Sequence, residues 1–138
     1  MDVTQIPFNK LIEISDSNTD DHVLSLRFKD NMKNHLGTFH ASAQFALAEA
    51  CSGLSLQKHF SHLASSAVPV LRRSDVKFKR PAQSDIQAKA SITTETKEKF
   101  ELQFEKKGRA TIAVPVEIMD QNGTITMSGT YEWFVQRI

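Results

Sequence analysis

The segment from about Thr38 to Phe60 constrains this chain more than any other. Ala43, Leu47, Ala50 and Leu54 recur at intervals of four, three and four, the spacing of one helix face. The other faces are also small or apolar, with Phe45, Ala46, Ala48, Cys51, Gly53 and Leu56. A helix apolar nearly all round has to be enclosed, so the rest of the chain must supply surfaces that cover it. Its many Ala, Ser and Gly residues let neighbouring backbone approach closely. From Ala41 to Gln57 a single residue is charged, Glu49.

Around this helix the apolar period changes to two. Leu24, Leu26 and Phe28 alternate with polar neighbours before it, as on a half-buried strand. After it, Val68, Val70, Val76 and Phe78 share a parity, and Pro81 marks the end of that strand. Ile86 to Ile92 alternate, then Ala110 to Ile118, with a hairpin turn at Asp120-Gln121-Asn122-Gly123. The last strand carries Ile125, Met127, Gly129, Tyr131, Trp133 and Val135 on one face. Thr96 to Gly108 reads both ways: Phe100, Leu102 and Phe104 alternate, yet Phe100 and Phe104 are also four apart among good helix formers. A short helix is the reading taken there. Gln5 to Glu13 reads as another short helix.

One strand, a buried helix and about four further antiparallel strands make an α+β layer, in which helix and curled sheet bury each other's faces. Such a sheet keeps exposed edges and an incompletely covered surface, which dimerisation commonly closes. A length of 138 residues suits one domain, residues 1–138. With 17 basic against 16 acidic residues the net charge is +1, too little for bulk electrostatic binding of nucleic acid. The start has no signal-peptide pattern, and no apolar run reaches the roughly 18 residues of a membrane span. One cysteine, Cys51, fits a reducing compartment, so a cytoplasmic location is expected.

The chemistry concentrates at the helix and its entry. A carboxylate such as Glu49 inside an apolar helix is costly unless paired, hydrated or protonated, and burial raises its pKa toward the range of a general base. The alternative is a structural ion pair with Arg72 or Arg73. Upstream, Asn34-His35-Leu36-Gly37-Thr38-Phe39-His40-Ala41-Ser42 leads into the helix N-terminus, where free N–H groups favour developing negative charge. The amide of Ala41 or Ser42 can serve as an oxyanion donor, and Asn34 can orient a carbonyl or a water. The same residues also read as a plain entry turn: Thr38 as N-cap, Gly37 for the bend, Asn34 for an Asx-turn.

Asn34-x-x-Gly37-Thr38-x-His40, followed by Ala46-Leu47-Ala48-Glu49, resembles the hotdog-fold acyl-CoA thioesterases of the phenylacetyl-CoA thioesterase type. Their motif reads Asn-x-x-Gly-x-x-His-Gly-Gly, with an Asp or Glu nine positions past the His. Here six positions separate Asn34 from His40 and nine separate His40 from Glu49. The strand Asp75-Val-Lys-Phe-Lys-Arg-Pro-Ala82 also looks like the family strand that ends in Pro-Ala. The likeness runs from roughly residue 20 to the end, and the N-terminal lead resembles an uncharacterised branch.

The resemblance implies a hotdog fold, a curved antiparallel sheet wrapped around one long central helix, with a homodimer as minimum unit and a dimer of dimers as the larger form. It implies hydrolysis of an acyl-CoA or acyl-carrier-protein thioester at the dimer interface, with no cofactor beyond the coenzyme A moiety of the substrate. Asn34 and the Ala41 amide of one subunit would polarise the carbonyl, facing Glu49 of the other as base or nucleophile. His40 belongs to the motif, and Gly37 and Ser42 flank the acyl group. The family Gly-Gly is Ala41-Ser42 here, which motivates an alternative: a non-catalytic dimer that binds an acyl chain or CoA. A hotdog dehydratase would need a different local motif and wider His–carboxylate spacing.

Ser52, three residues past Glu49, is the nearest counterpart of a water-orienting hydroxyl. Among Arg72, Arg73, Lys77, Lys79 and Arg80, most read as a solvated strand face, while Lys79 and Arg80 beside Pro81 suit a nucleotide phosphate. The five histidines, His22, His35, His40, His59 and His62, do not make a zinc pattern. Cys51 reads as a small buried residue.

Overall fold

In the computed structural model, which describes residues 1–16 and 23–138, the apolar segment forms helix α2, Ala41–His59. In chain order the elements are α1 (Pro7–Leu11), β1 (Ser15–Asp16), β2 (Val23–Leu26), α2, β3 (Ala67–Phe78), β4 (Ile86–Ala90), α3 (Thr94–Lys107), β5 (Arg109–Met119) and β6 (Ile125–Arg137). The strands make one antiparallel sheet in the order β1-β2-β4-β5-β6-β3. Because side chains alternate between faces, Ala110, Ile112, Val114, Val116 and Ile118 of β5 are buried while Thr111, Ala113, Pro115 and Glu117 are exposed. Ile86 and Ala88 of β4, with Met127 and Tyr131 of β6, extend the same inner face under α2. Leu24, Leu26, Leu47, Ile86 and Ile118 are wholly enclosed, each stabilising the fold by about 1.5–3 kcal/mol relative to exposure.

Pro115 sits inside a central strand without breaking it. Its carbonyl accepts from the Ser91 N–H at 3.1 Å, just past the last β4–β5 pair, Ala90 with Val116. The missing N–H points to that same side, where the β4–β5 ladder has ended, so no bond to β6 is lost.

The expected curved sheet wrapped around the helix is not what forms. The sheet is open: β1 and β3 are its two edges, and they do not pair. Helix α2 packs on β2, β4 and β5, touches β6 less, and has no comparable contact with β3. Widths explain this. Six strands about 4.8 Å apart span roughly 24 Å, whereas one helix is about 10–12 Å across. Strand β3 is consequently exposed along most of its length on both faces.

The ambiguous stretch is a helix, α3. The Thr93 hydroxyl caps it, accepting from the Thr96 N–H at 3.1 Å, and Gly108 ends it with a left-handed φ of 70°. Phe100 and Phe104 form its buried face, and Phe100 meets Phe60 at the end of α2 with ring centroids 4.6 Å apart. Spacing by four prevails because the caps define the segment and Phe60 supplies an aromatic partner, while Leu102 points outward. The short helix expected near the start is α1, with Pro7 at its first position.

Candidate active site

The entry loop is built by Asn34. Its Oδ1 accepts from the N–H groups of Leu36 at 2.9 Å and Thr38 at 3.1 Å. Its Nδ2 donates to Thr38 Oγ1 at 2.9 Å and to the Phe39 carbonyl at 3.4 Å. Gly37 takes a φ of 76° at the bend, a conformation that costs glycine no Cβ clash. The Phe39 N–H then donates to the Ala82 carbonyl at 2.9 Å, and the His40 N–H to that of Met32 at 2.8 Å. These bonds hold Phe39 and His40 extended, so the helix starts at Ala41 rather than Thr38. The N-cap is His40, whose Nδ1 accepts from the Ser42 N–H at 3.0 Å.

One amide of that first turn is left over. Ala43 and Gln44 donate to the His40 carbonyl and Ser42 to the His40 ring, while the Ala41 N–H has no partner among the described residues. Ala41 lines a groove of about 260 Å³. Asn34, Ala41 and Gln44 reach it from the entry loop and α2, and Phe78, Lys79 and Arg80 from the end of β3. The structure thus brings together four of the expected site residues, Asn34, Ala41, Lys79 and Arg80, with Gly37, His40 and Ser42 exposed in the adjoining loop and first helical turn.

The groove also contains a residue that the sequence reading passes over. Gln44 is 4% exposed, and its Oε1 accepts from the Thr126 hydroxyl at 2.8 Å. Thr126 is wholly buried, and its carbonyl accepts from the N–H groups of Lys79 at 2.8 Å and Arg80 at 3.3 Å. One residue of β6 therefore ties α2 to the chain leaving β3. An amide among small apolar residues is the signal in the sequence; its partner lies too far along the chain for spacing to find.

Glu49 stands apart. Eight residues past Ala41, it lies roughly 12 Å further along the helix axis and does not line the groove. Its carboxylate is half-buried with no hydrogen bond or ion pair among the described residues, and burial pushes its pKa up. Neither arginine neutralises it: Arg72 stacks over Phe134, 3.6 Å from the ring centroid, and Arg73 lines another groove with Asp75 and Glu132. Tyr131 senses the charge, since burial and Glu49 together raise its phenol pKa, and its hydroxyl donates to the Phe45 carbonyl at 3.1 Å.

Ser52 is engaged elsewhere. Its hydroxyl donates to the Glu49 carbonyl at 2.7 Å and accepts from Trp133 Nε1 at 2.9 Å, wholly buried. It locks helix to sheet and presents no hydroxyl to a water near the carboxylate. Cys51 is buried with its thiol pushed up to about 11, chiefly by desolvation, as befits an inert core residue. Among the described residues no group of three or more His, Cys, Asp or Glu could hold a metal, and no helix is long and apolar enough to cross a membrane. His22 lies outside the described residues.

The sequence profile of a family described as a domain of unknown function (DUF4442) matches residues 6–135. No curated protein sequence matches the chain. Among solved structures, a Pseudomonas aeruginosa protein of unknown function, described as a probable thioesterase, is similar with a TM-score of 0.83 at 20% identity, over 99% of this chain and 91% of its own. A Bacillus halodurans protein crystallised with CoA is similar with a TM-score of 0.71 at 19% identity, over 93% and 74%. A Staphylococcus aureus protein, called hypothetical in one structure and a thioesterase enzyme in another, gives a TM-score of 0.72 at 18% identity, over 95% and 99%. The fold is the one shared by hotdog-fold thioesterase-like proteins.

Proposed function

The chain belongs to the DUF4442 family, and from that premise we propose that it hydrolyses an acyl thioester, with CoA as the thiol. The observation that carries this reading is Glu49, a half-buried carboxylate with a raised pKa and no partner among the described residues. A structural ion pair would have neutralised it, whereas a general base has to stay free and close to neutral in pKa. The free Ala41 N–H at the positive end of α2 suits the oxygen of a thioester carbonyl. Lys79 and Arg80, which line the same groove, suit the nucleotide phosphates. The Bacillus halodurans relative was crystallised with CoA. The Staphylococcus aureus relative has been made as a Glu→Ala and as a Gln→Ala variant at positions fifteen apart, and Asn34 and Glu49 have that separation.

The site is completed by a second copy. Within one chain the groove and Glu49 are too far apart to share a carbonyl. Along α2 an incompletely covered stripe runs through Ser42, Phe45, Glu49, Gly53 and Gln57, at helical spacing. Beside it β3 offers a free edge of 12 residues, with Val68, Val70 and Phe78 about half exposed. Long, exposed, apolar edges pair with other chains. In the dimer, the Ala41 N–H of one subunit donates to the carbonyl oxygen. Glu49 of the partner subunit takes a proton from water as the water oxygen adds to the carbonyl carbon. Collapse then breaks the C–S bond, the thiolate takes the proton from Glu49, and acid and thiol leave. Direct attack by the carboxylate, giving an anhydride that water opens, uses the same placement.

Thiol release from a panel of straight-chain and aromatic acyl-CoAs tests the activity, and a charged edge tests the assembly. The doubly substituted Val68→Lys, Val70→Lys chain is expected to sediment as a monomer and to lose hydrolysis, where the unaltered protein sediments as a dimer. A monomer that keeps full turnover would rule out the shared site.

A further inference from the structure

Two amide side chains border the groove, and the structure uses them in opposite ways. All the polar atoms of Asn34 are engaged inside its own loop, with both acceptor bonds and both donor bonds directed at residues 36 to 39. Gln44 is anchored only through its oxygen. The Thr126 hydroxyl donates to Oε1 at 2.8 Å, and Nε2 keeps two N–H groups with no acceptor among the described residues. The side chain is otherwise enclosed, at 4% exposure, yet its nitrogen is not sealed in: among the described residues the one enclosed polar side-chain atom without a partner is Ser55 Oγ. The opening left to Gln44 is the groove that it lines. An unsatisfied amide nitrogen so nearly buried is rare unless a ligand completes it.

We propose that Gln44, rather than Asn34, is the side-chain donor that holds the acyl carbonyl in this groove, acting with the Ala41 N–H. The inference rests on the thioester reading above. Gln44 lies three residues past Ala41, so both sit on one helix face. A carbonyl oxygen has two lone pairs, and two fixed donors match them better as negative charge develops. Asn34 then shapes the turn that presents Ala41. Thr126 is a positioning residue: its side chain aims Gln44 while its carbonyl holds the backbone of Lys79 and Arg80. Carbonyl and phosphate subsites are thereby kept at a fixed separation.

Two ligands separate the carbonyl contact from the rest of the site. An S-alkyl-CoA thioether carries the chain without the carbonyl, and a ketone analogue of equal length, with methylene in place of the thioester sulfur, keeps the carbonyl but resists hydrolysis. By titration calorimetry the unaltered protein is expected to bind the ketone about tenfold more tightly than the thioether. Gln44→Met should erase that preference while leaving thioether affinity unchanged, and should slow thiol release about 100- to 1000-fold. The Thr126 hydroxyl keeps the Ile118 carbonyl at 3.4 Å in that variant. The double Gln44→Met, Thr126→Val chain, which replaces both partners by apolar groups, serves as a second well-folded test and should behave alike. A preference that survives Gln44→Met, a thioether affinity that falls in step with it, or no ketone preference in the unaltered protein would each overturn the assignment. A Gln44-dependent preference in a protein that releases no thiol from any thioester would sustain the carbonyl contact and sink the hydrolase reading instead.

Discussion

Glu49→Gln is expected to remove thioester hydrolysis while making the protein more stable at neutral pH. A positioned general base contributes about 100- to 10,000-fold to rate, and glutamine keeps the shape of the side chain without accepting a proton. The stability gain follows from the direction of the pKa shift. Burial raises the Glu49 pKa above its ordinary value, so between the two values the folded protein holds a proton that the unfolded chain has released. Stability therefore falls as pH rises through that window, and the loss is complete above the raised value. Glutamine carries no such penalty. Thermal unfolding should show the variant above the unaltered protein at neutral pH, with the gap closing as pH drops below the ordinary carboxylate range. The kcat/KM of the unaltered protein should climb with pH through the raised pKa, because the ionised form is the base. A variant that is destabilised at every pH would mean that Glu49 makes a structural contact after all.

Gly129→Ala should be the most damaging single methyl in the sheet. Gly129 pairs with Val76 on β3 and Val116 on β5. A Cβ placed on it would lie 2.5 Å from the Asp75 carbonyl oxygen and 2.8 Å from the Val76 Cα. Backbone atoms cannot rotate away as a flexible side chain would, so β3 has to move off β6. Overpacking typically costs about 1–3 kcal/mol, and a backbone clash belongs at the upper end or beyond. Since β3 leads into Lys79 and Arg80 and offers the free edge, the same displacement should weaken CoA binding and dimerisation together. Chemical denaturation and sedimentation check both; unchanged stability would mean that the strands are looser than this close approach requires.

How far the fold could be read from the sequence depended on how local each determinant is. Helix α2 and the alternating strands rest on neighbours within a few residues, and periodicity shows them. The start of α2 escaped that reading, because Phe39 and His40 are held extended by Ala82, more than forty residues on, and by Met32. The open sheet escaped it too: the width of one helix against six strands is a property of the assembled layer. At the site, Glu49 stood out as a lone charge and the Asn34 turn was legible as an Asx-turn. The use of Ser52 by Trp133 and of Gln44 by Thr126 was not, since each bond joins residues about eighty positions apart. Polar atoms in a helix announce that they need partners; only the tertiary structure says which atoms remain free.

The central claim is that one subunit supplies the groove and the other the base, and mixed dimers test it directly. Ala41→Pro removes only the amide hydrogen at the first helical position, where proline is favoured. The preceding His40, with φ −64° and ψ 137°, already has the backbone proline demands. Ala41→Pro and Glu49→Gln chains should each be inactive alone. Unfolded and refolded together in equal amounts, they should recover about one quarter of the unaltered rate, because half the dimers are mixed and each holds one intact site. Recovery near that level is the expected result; a mixture as inactive as its parents, from chains shown to exchange, would contradict a site shared between subunits.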